Sequence, residues 1–320
     1  MQYFIQYVLG YKSPANKKAQ LGTITHKTME ILANCKKQLQ DDPDKGDFIY
    51  VDPELDDISW DKWSLFKNHF VEDLCRKSFE YYRDKCIHNY EESDFDFCYK
   101  MCRVLIDNYE GVFDPRYRNV LDPEPFFDIP IEESWAKFNY EGEEFNLAIK
   151  GTIDLVTKLD EDTIEVIDYK TGQRKDWATG EVKDYKKLMQ DTQLLLYNYA
   201  ISKLYPEYKN RILTIIFLRD GGPFSLSFDE DDEKEFLKRL KKKFYDISNT
   251  KFPKLCSANR SNFKCTRLCH FYKEQFPGTN KSICEHVEDN IKTYGIKIAQ
   301  KELKVDGFNS SSYQAPGTGN

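Results

Sequence analysis

The residues best placed to do chemistry in this chain are two aspartates and a lysine set in apolar, strand-like sequence. Gly151-Thr-Ile-Asp154 is followed, after thirteen intervening residues, by Asp168-Tyr-Lys170-Thr-Gly172. Asp154 sits among Ile153, Leu155 and Val156, and Asp168 follows Val166 and Ile167. Carboxylates in such surroundings repel one another and lose hydration unless a cation neutralises them. Their hard oxygens suit Mg2+ or Mn2+. Residues two apart on a strand share a face, so Lys170 lies on the side of Asp168. A lysine beside a bound cation can orient or help deprotonate an attacking water and can stabilise negative charge on a phosphate. The plainer alternative for this segment alone is a pair of exposed aspartates at strand ends, one of them partnered by the lysine.

Three other residues join this set. His26, in Leu21-Gly-Thr-Ile-Thr-His26, lies on a predicted helix, and Gly22 one turn earlier leaves room for close approach. Gln193 and Tyr197 are four apart and share a helical face, where their polar tips could hold a nucleotide phosphate or base. Alone, a helical histidine reads equally as a surface or core residue, and Tyr197 as half-buried packing beside Leu194–Leu196.

Cys256, Cys265, Cys269 and Cys284 fall within about thirty residues, interleaved with Lys264, Arg267 and His270. In a reducing compartment such a group reads as a metal site, with plain packing as the alternative. Cys35, Cys75, Cys86, Cys98 and Cys102 fall on predicted helices, and core packing is the expectation for all five.

The elements that must position these residues follow from periodicity. Residues 15–40 carry Leu21, Ile24, Thr28, Ile31, Cys35 and Leu39 at helical spacing, and aromatic-rich 60–110 also reads as helical. Residues 126–131 are short and apolar, and 144–158 and 163–170 alternate as strands, with Asp160–Asp162 a tight turn that joins these two as a hairpin. Residues 185–204 return to helix, 211–219 and 224–228 to strand, and 229–247 form a charged helix opened by acids and ended by lysines. The fold class is therefore α/β, a mixed central sheet flanked by helices. The boundaries expected are a helical part over 1–125 that contributes His26, a core over 126–250, a cysteine segment over 251–290 and an extension over 291–320, disordered from about 306.

Bulk properties exclude some classes. No apolar run reaches the roughly 18 residues of a membrane span, and the first residues lack the basic start and cleavage site of a secretory signal. The cytosol is the expected compartment. A net charge of −7 argues against binding nucleic acid by bulk charge. A local basic groove remains open, because phosphate attraction acts over a Debye length of about 8 Å. Lys238, Arg239, Lys241, Lys242, Lys243, Lys251, Lys254, Arg260, Lys264 and Arg267 cluster in one stretch, either as such a groove or as a solvated surface.

Taken in order, His26, Gly151-x-x-Asp154, Asp168-x-Lys170-Thr-Gly172 and Gln193-x-x-x-Tyr197 resemble the RecB-like branch of the PD-(D/E)XK nuclease superfamily, over roughly residues 1–230. The resemblance implies a restriction-endonuclease-like core and a metal-dependent DNA nuclease, an exonuclease acting on single strands or duplex ends. It implies metal ligation by His26, Asp154, Asp168 and the Tyr169 carbonyl, and a catalytic set of Asp154, Asp168 and Lys170 with Gln193 and Tyr197 in support. An acidic residue before the first core strand is also usual, with Glu132 and Glu133 both open. Relatives such as the CRISPR-associated and AddB-type exonucleases close the domain with a 4Fe-4S cluster, which would fall here to Cys256, Cys265, Cys269 and Cys284. In that pattern one cysteine lies upstream of the histidine, whereas residues 1–25 here hold none, so structural Zn2+ is a rival. DNA is the implied partner, with a helicase or recombination protein beside it. A catalytically silent DNA-binding or scaffold module, and a nuclease acting on RNA, are the competing readings.

Overall fold

Asn16 caps the first long helix, its side chain accepting from the Lys18 amide at 2.9 Å. The computed structural model describes residues 1–13, 16–85, 88–108, 111–140, 142–175, 180–249 and 264–305. Helix α1 (Lys17–Asp41) buries Leu21, Ile24, Thr28, Ile31 and Cys35 along one stripe, as its spacing predicts. Strands β1 (Asp47–Tyr50) and β2 (Ile58–Asp61) then form an antiparallel pair, with Trp60 stacked on Phe48 at 4.3 Å. Trp60 is thus on a strand, not on the expected helix. Asp61 ends it, its Oδ1 accepting from the amides of Trp63 and Ser64 at 2.8 and 3.0 Å. Helices α2 (Asn68–Lys85) and α3 (Glu92–Asp107) follow. With α1 they bury Cys35, Cys75, Cys98 and Cys102 in one apolar cluster. Cys86 lies outside the described residues.

Strands β3 (Val120–Pro123), β4 (Phe126–Pro130), β5 (Lys137–Tyr140), β6 (Glu143–Asn146), β7 (Ala148–Thr152), β8 (Leu155–Lys158) and β9 (Thr163–Lys170) come next. After them come α4 (Tyr185–Leu188), α5 (Thr192–Leu204), β10 (Asn210–Phe217), β11 (Gly221–Leu226) and α6 (Glu230–Ser248). The central sheet has the order β11-β10-β9-β8-β3. β9 and β10 are parallel, joined by the crossover through α4 and α5 that parallel pairing requires, and the other pairs are antiparallel. Helices α1 to α3 cover one face through Leu155, Ile167, Tyr169 and Ile216. α5 and Phe236 of α6 cover the other through Val156, Ile164, Val166 and Ile215. This is the mixed sheet flanked by helices that the sequence predicts. The stretch 144–158 is three strands rather than one: β6 pairs with β5, β7 with β4, and β8 alone enters the central sheet. The lysines of α6 sit in mid-helix, because the helix continues past them to Ser248.

The chain divides into two compact units, Asn16–Lys242 and Met1–Ala15 with Lys243–Asn320. In the second, the turn Phe4–Val8, α7 (His270–Lys273), α8 (Ile283–Tyr294) and α9 (Ile296–Leu303) gather Ile5, Leu9, Phe271, Val287 and Ala299. The Val305 amide donates to the Leu9 carbonyl at 2.8 Å. The tail expected to be disordered from about 306 lies outside the described residues. No helix among the described residues is long and apolar enough to cross a membrane.

Candidate active site

Every residue of β9 from Thr163 to Tyr169 is buried, so Asp168 enters the protein interior with its strand and is 1% exposed. Leu155 pairs with Ile167, and Asp154, just ahead of β8, therefore stands beside Asp168 at the sheet end. Asp154 Oδ1 is 3.1 Å from His26 Nδ1 on α1, and its Oδ2 accepts from the Tyr169 amide at 2.6 Å. The Tyr169 ring meets His26 edge-on at 6.4 Å. Asp168 is met by Lys170 Nζ at 2.8 Å from Oδ1 and 2.7 Å from Oδ2. Oδ2 is an ion-pair partner at that distance, but it is sealed from solvent and accepts no well-aligned hydrogen bond. Gln193 Nε2, on α5, lies 3.3 Å from Asp168 Oδ1 and donates to Tyr197 Oη at 2.7 Å, and Tyr197 donates onward to the Thr152 carbonyl at 2.9 Å. All six side chains singled out from sequence thus meet at one end of the sheet.

Two glycines make this meeting possible. A Cβ on Gly22 would stand 2.8 Å from Thr171 Oγ1, so a side chain there would make Thr171 turn away or α1 move back from the Asp168-Tyr-Lys-Thr segment. A Cβ on Gly151 would stand 2.6 Å from Phe127 Cζ. Phe127 in turn packs edge-on against Tyr197 at 6.3 Å. The Gly-x-x-Asp and Gln-x-x-x-Tyr motifs are therefore linked through one aromatic ring.

The charges at the centre are mutually dependent. Burial pushes the Asp168 carboxyl up and Lys170 opposes it, leaving it at about 6, with Asp154 adding to the rise. Burial works against charge on Asp154 too, but His26, Lys170 and the Tyr169 amide together hold it below the ordinary carboxylate range. Burial likewise opposes charge on His26 and Lys170, yet the aspartates outweigh it and raise both. Near neutral pH the cluster therefore carries two carboxylates against an ammonium and an imidazole that readily takes a proton. Groups of these kinds can orient a water and present a positive charge to an anionic substrate.

The sequence reading missed an acidic annex. Glu124, not Glu132 or Glu133, stands with the aspartates: its amide donates to the Asp154 carbonyl at 3.2 Å. Its carboxyl is pushed up to about 9, first by burial and then by a hydrogen bond and charge from Glu30. Glu30 accepts from Lys27 Nζ at 3.2 Å, and Lys27 pairs with buried Asp52 at 2.8 Å. Glu30 was findable, being one helical turn past His26. Glu124, between two prolines at φ +51, gave no periodic signal. Glu132 and Glu133 are exposed.

Of the four late cysteines, Cys265 and Cys284 are buried and Cys269 is half-buried, and these three are in no disulfide. Cys256, with Arg260, lies outside the described residues. Among the described residues no three His, Cys, Asp or Glu side chains form a preformed metal cage.

Compared with known proteins, residues 1–273 match the family model of the PD-(D/E)XK nuclease superfamily. No curated protein matches the chain.

Proposed function

The chain belongs to the PD-(D/E)XK nuclease superfamily, and from that premise we propose that it is a DNA exonuclease of the RecB-like branch, acting on single strands or duplex ends. The superfamily is one of metal-dependent nucleases that use Mg2+ or Mn2+. The donor set suits such an ion by its chemistry: Asp168 Oδ2 is a buried carboxylate oxygen that only Lys170 meets, as an ion pair, and Asp154, paired with His26, stands at the same sheet end. His26, Asp154, Asp168 and the Tyr169 carbonyl would hold it. When bound, it supplies Lewis-acid polarisation and a water of lowered pKa. Lys170, raised and hence protonated at neutral pH, orients the water and places positive charge by the phosphate oxygens. Gln193 and Tyr197 brace Asp168 from the α5 side, and His26 steadies Asp154 from the α1 side. The observation that carries the reading is this double bracing of two aspartates around one lysine. End-labelled single-stranded, duplex and circular DNA, with matching RNA, tests it: linear DNA should be degraded from its ends with Mg2+ or Mn2+. Equal cutting of circular DNA, or a preference for RNA, would replace the exonuclease reading.

A second part of the proposal concerns the cysteines. Cys265, Cys269 and Cys284 share one compact unit with a small apolar core, and small cores gain from a metal staple. With Cys256 they would hold an iron–sulfur cluster or Zn2+. A partner helicase or recombination protein would deliver the DNA ends. Metal content and the visible spectrum of purified protein test the cysteine centre. Brown protein with broad absorption means iron–sulfur, colourless protein with bound zinc means Zn2+, and neither metal sinks the centre.

A further inference from the structure

Beyond Lys170 the chain runs through Thr171 and Gly172 into Gln173, Arg174 and Lys175, and returns so that Val182 pairs with Lys175 and the Lys183 amide meets the Arg174 carbonyl at 3.2 Å. Gln173, Arg174, Lys175, Val182 and Asp220 line a cavity of about 270 Å³. At about 30 Å³ per water this is roughly nine waters' space, ample for a phosphate group. Arg174 is held ready: its amide donates to Asp220 Oδ2 at 2.6 Å, and its guanidinium lies over the Phe224 ring at 4.6 Å. Its Nε is buried without a hydrogen-bond partner. Such a donor is costly unless a ligand satisfies it. Among the described residues, the side chains of Gln173 and Lys175 make no hydrogen bond or ion pair, and Lys175 is exposed. Among the described residues the lining has one carboxylate, Asp220, and it is engaged by the Arg174 amide. A stacked guanidinium, a free ammonium and an amide around one cavity are the donor set for a phosphate. Four residues span at most about 14 Å, so the Arg174 backbone lies within that distance of the Lys170 backbone.

We propose that this cavity binds a phosphate of the substrate strand other than the one being cut, with Arg174 and Lys175 as its ligands. The inference rests on the nuclease reading for the identity of the strand, not for the chemistry of the cavity. The test is binding of a short single-stranded oligodeoxynucleotide in EDTA, where nothing is cut, by the wild type, Arg174→Gln and Lys175→Gln. Each variant should weaken binding by about tenfold. Each should also flatten the slope of log K against log salt by about 0.7 for every phosphate it no longer neutralises. Lys175, exposed and unbonded, keeps the test valid should Arg174→Gln misfold. Single neutral methylphosphonate linkages, and ends with or without a 5′-phosphate, then locate the bound phosphate. Wild type should lose affinity at one internal linkage or at the terminal phosphate, and the variants should be insensitive there. Variants that bind as wild type does, with an unchanged salt slope, overturn the subsite and leave the nuclease reading standing. If the variants lose binding but wild type cuts no strand with metal, the nuclease reading falls and the subsite stands. A wild type that binds no strand removes both.

Discussion

Asp168 is the pivot of the centre, because its carboxyl is buried, raised to about 6 and held by Lys170. Lys170→Ala should therefore reduce cleavage by at least about 10²–10³-fold while circular dichroism shows a retained fold. Gln193→Ala, acting through Asp168, should cost less, about tenfold. A variant Lys170→Ala with near-normal turnover would remove the lysine from the chemistry. The same carboxyl gives a pH signature. Its folded pKa exceeds its ordinary 3.8, so the folded protein holds that proton more tightly than the unfolded chain. Its contribution to stability is present below about pH 4 and lost as pH rises through 6, about 3 kcal/mol if Asp168 acted alone. His26, also raised, adds stability present below about 6.5 that fades as pH climbs through its folded value. Asp154, depressed, works the other way and is lost only as pH falls below the carboxylate range. In EDTA, wild type minus Asp168→Asn should show stability falling between pH 4 and 6. Mn2+ should raise the Tm strongly at pH 8 and little at pH 5, since protons and the cation compete for Asp168. A Mn2+ effect independent of pH, or equal in Asp168→Asn, would contradict this.

At the scale of elements, α1, β9 and α5 were legible because each keeps one period along its length, and they carry His26, Asp168 and Gln193 with Tyr197. The hairpin that aligns Asp154 with Asp168 was legible from its acidic turn, where the Asp162 amide bonds Asp160 Oδ1 at 2.9 Å. What was not legible depends on long-range pairing. Residues 144–158 read as one alternating run, yet pairing with β4, β5 and β9 cuts them into three strands. Glu124 belongs to the centre only because β3 lies beside β8, a juxtaposition no local pattern encodes. The close approaches at the two glycines are likewise tertiary, and they are testable. Gly151→Ala would drive a Cβ into Phe127, and overpacking of this kind costs about 1–3 kcal/mol, read as a lower Tm. Gly22→Ala should lower activity by pushing α1 from Thr171, although alanine favours the helix by about 0.5–1 kcal/mol. Adding Thr171→Ala should restore part of the loss. Purely additive effects in that double-mutant cycle would mean the close approach does not position His26.

As a whole molecule, the chain presents two compact units, one with an apolar cluster on each face of the central sheet and one with a cluster on the short C-terminal helices. Calorimetry should resolve two unfolding transitions, and a chelator that strips metal from the cysteines should move only the one belonging to the smaller unit. A single chelator-insensitive transition would argue against both the division and the cysteine centre. For the proposed DNA substrate, the net charge of −7 would leave holding the strand to local cations rather than to the overall field, so binding should weaken steeply with salt. The most direct test of the central claim is cleavage of 5′-labelled single-stranded DNA by purified wild type and Asp154→Ala, in Mn2+, Mg2+ and EDTA. Wild type should cut with either metal and not in EDTA, and Asp154→Ala, folded, should cut in none. Cleavage in EDTA, or undiminished cleavage by Asp154→Ala, would contradict a metal-dependent centre built on Asp154, Asp168 and Lys170.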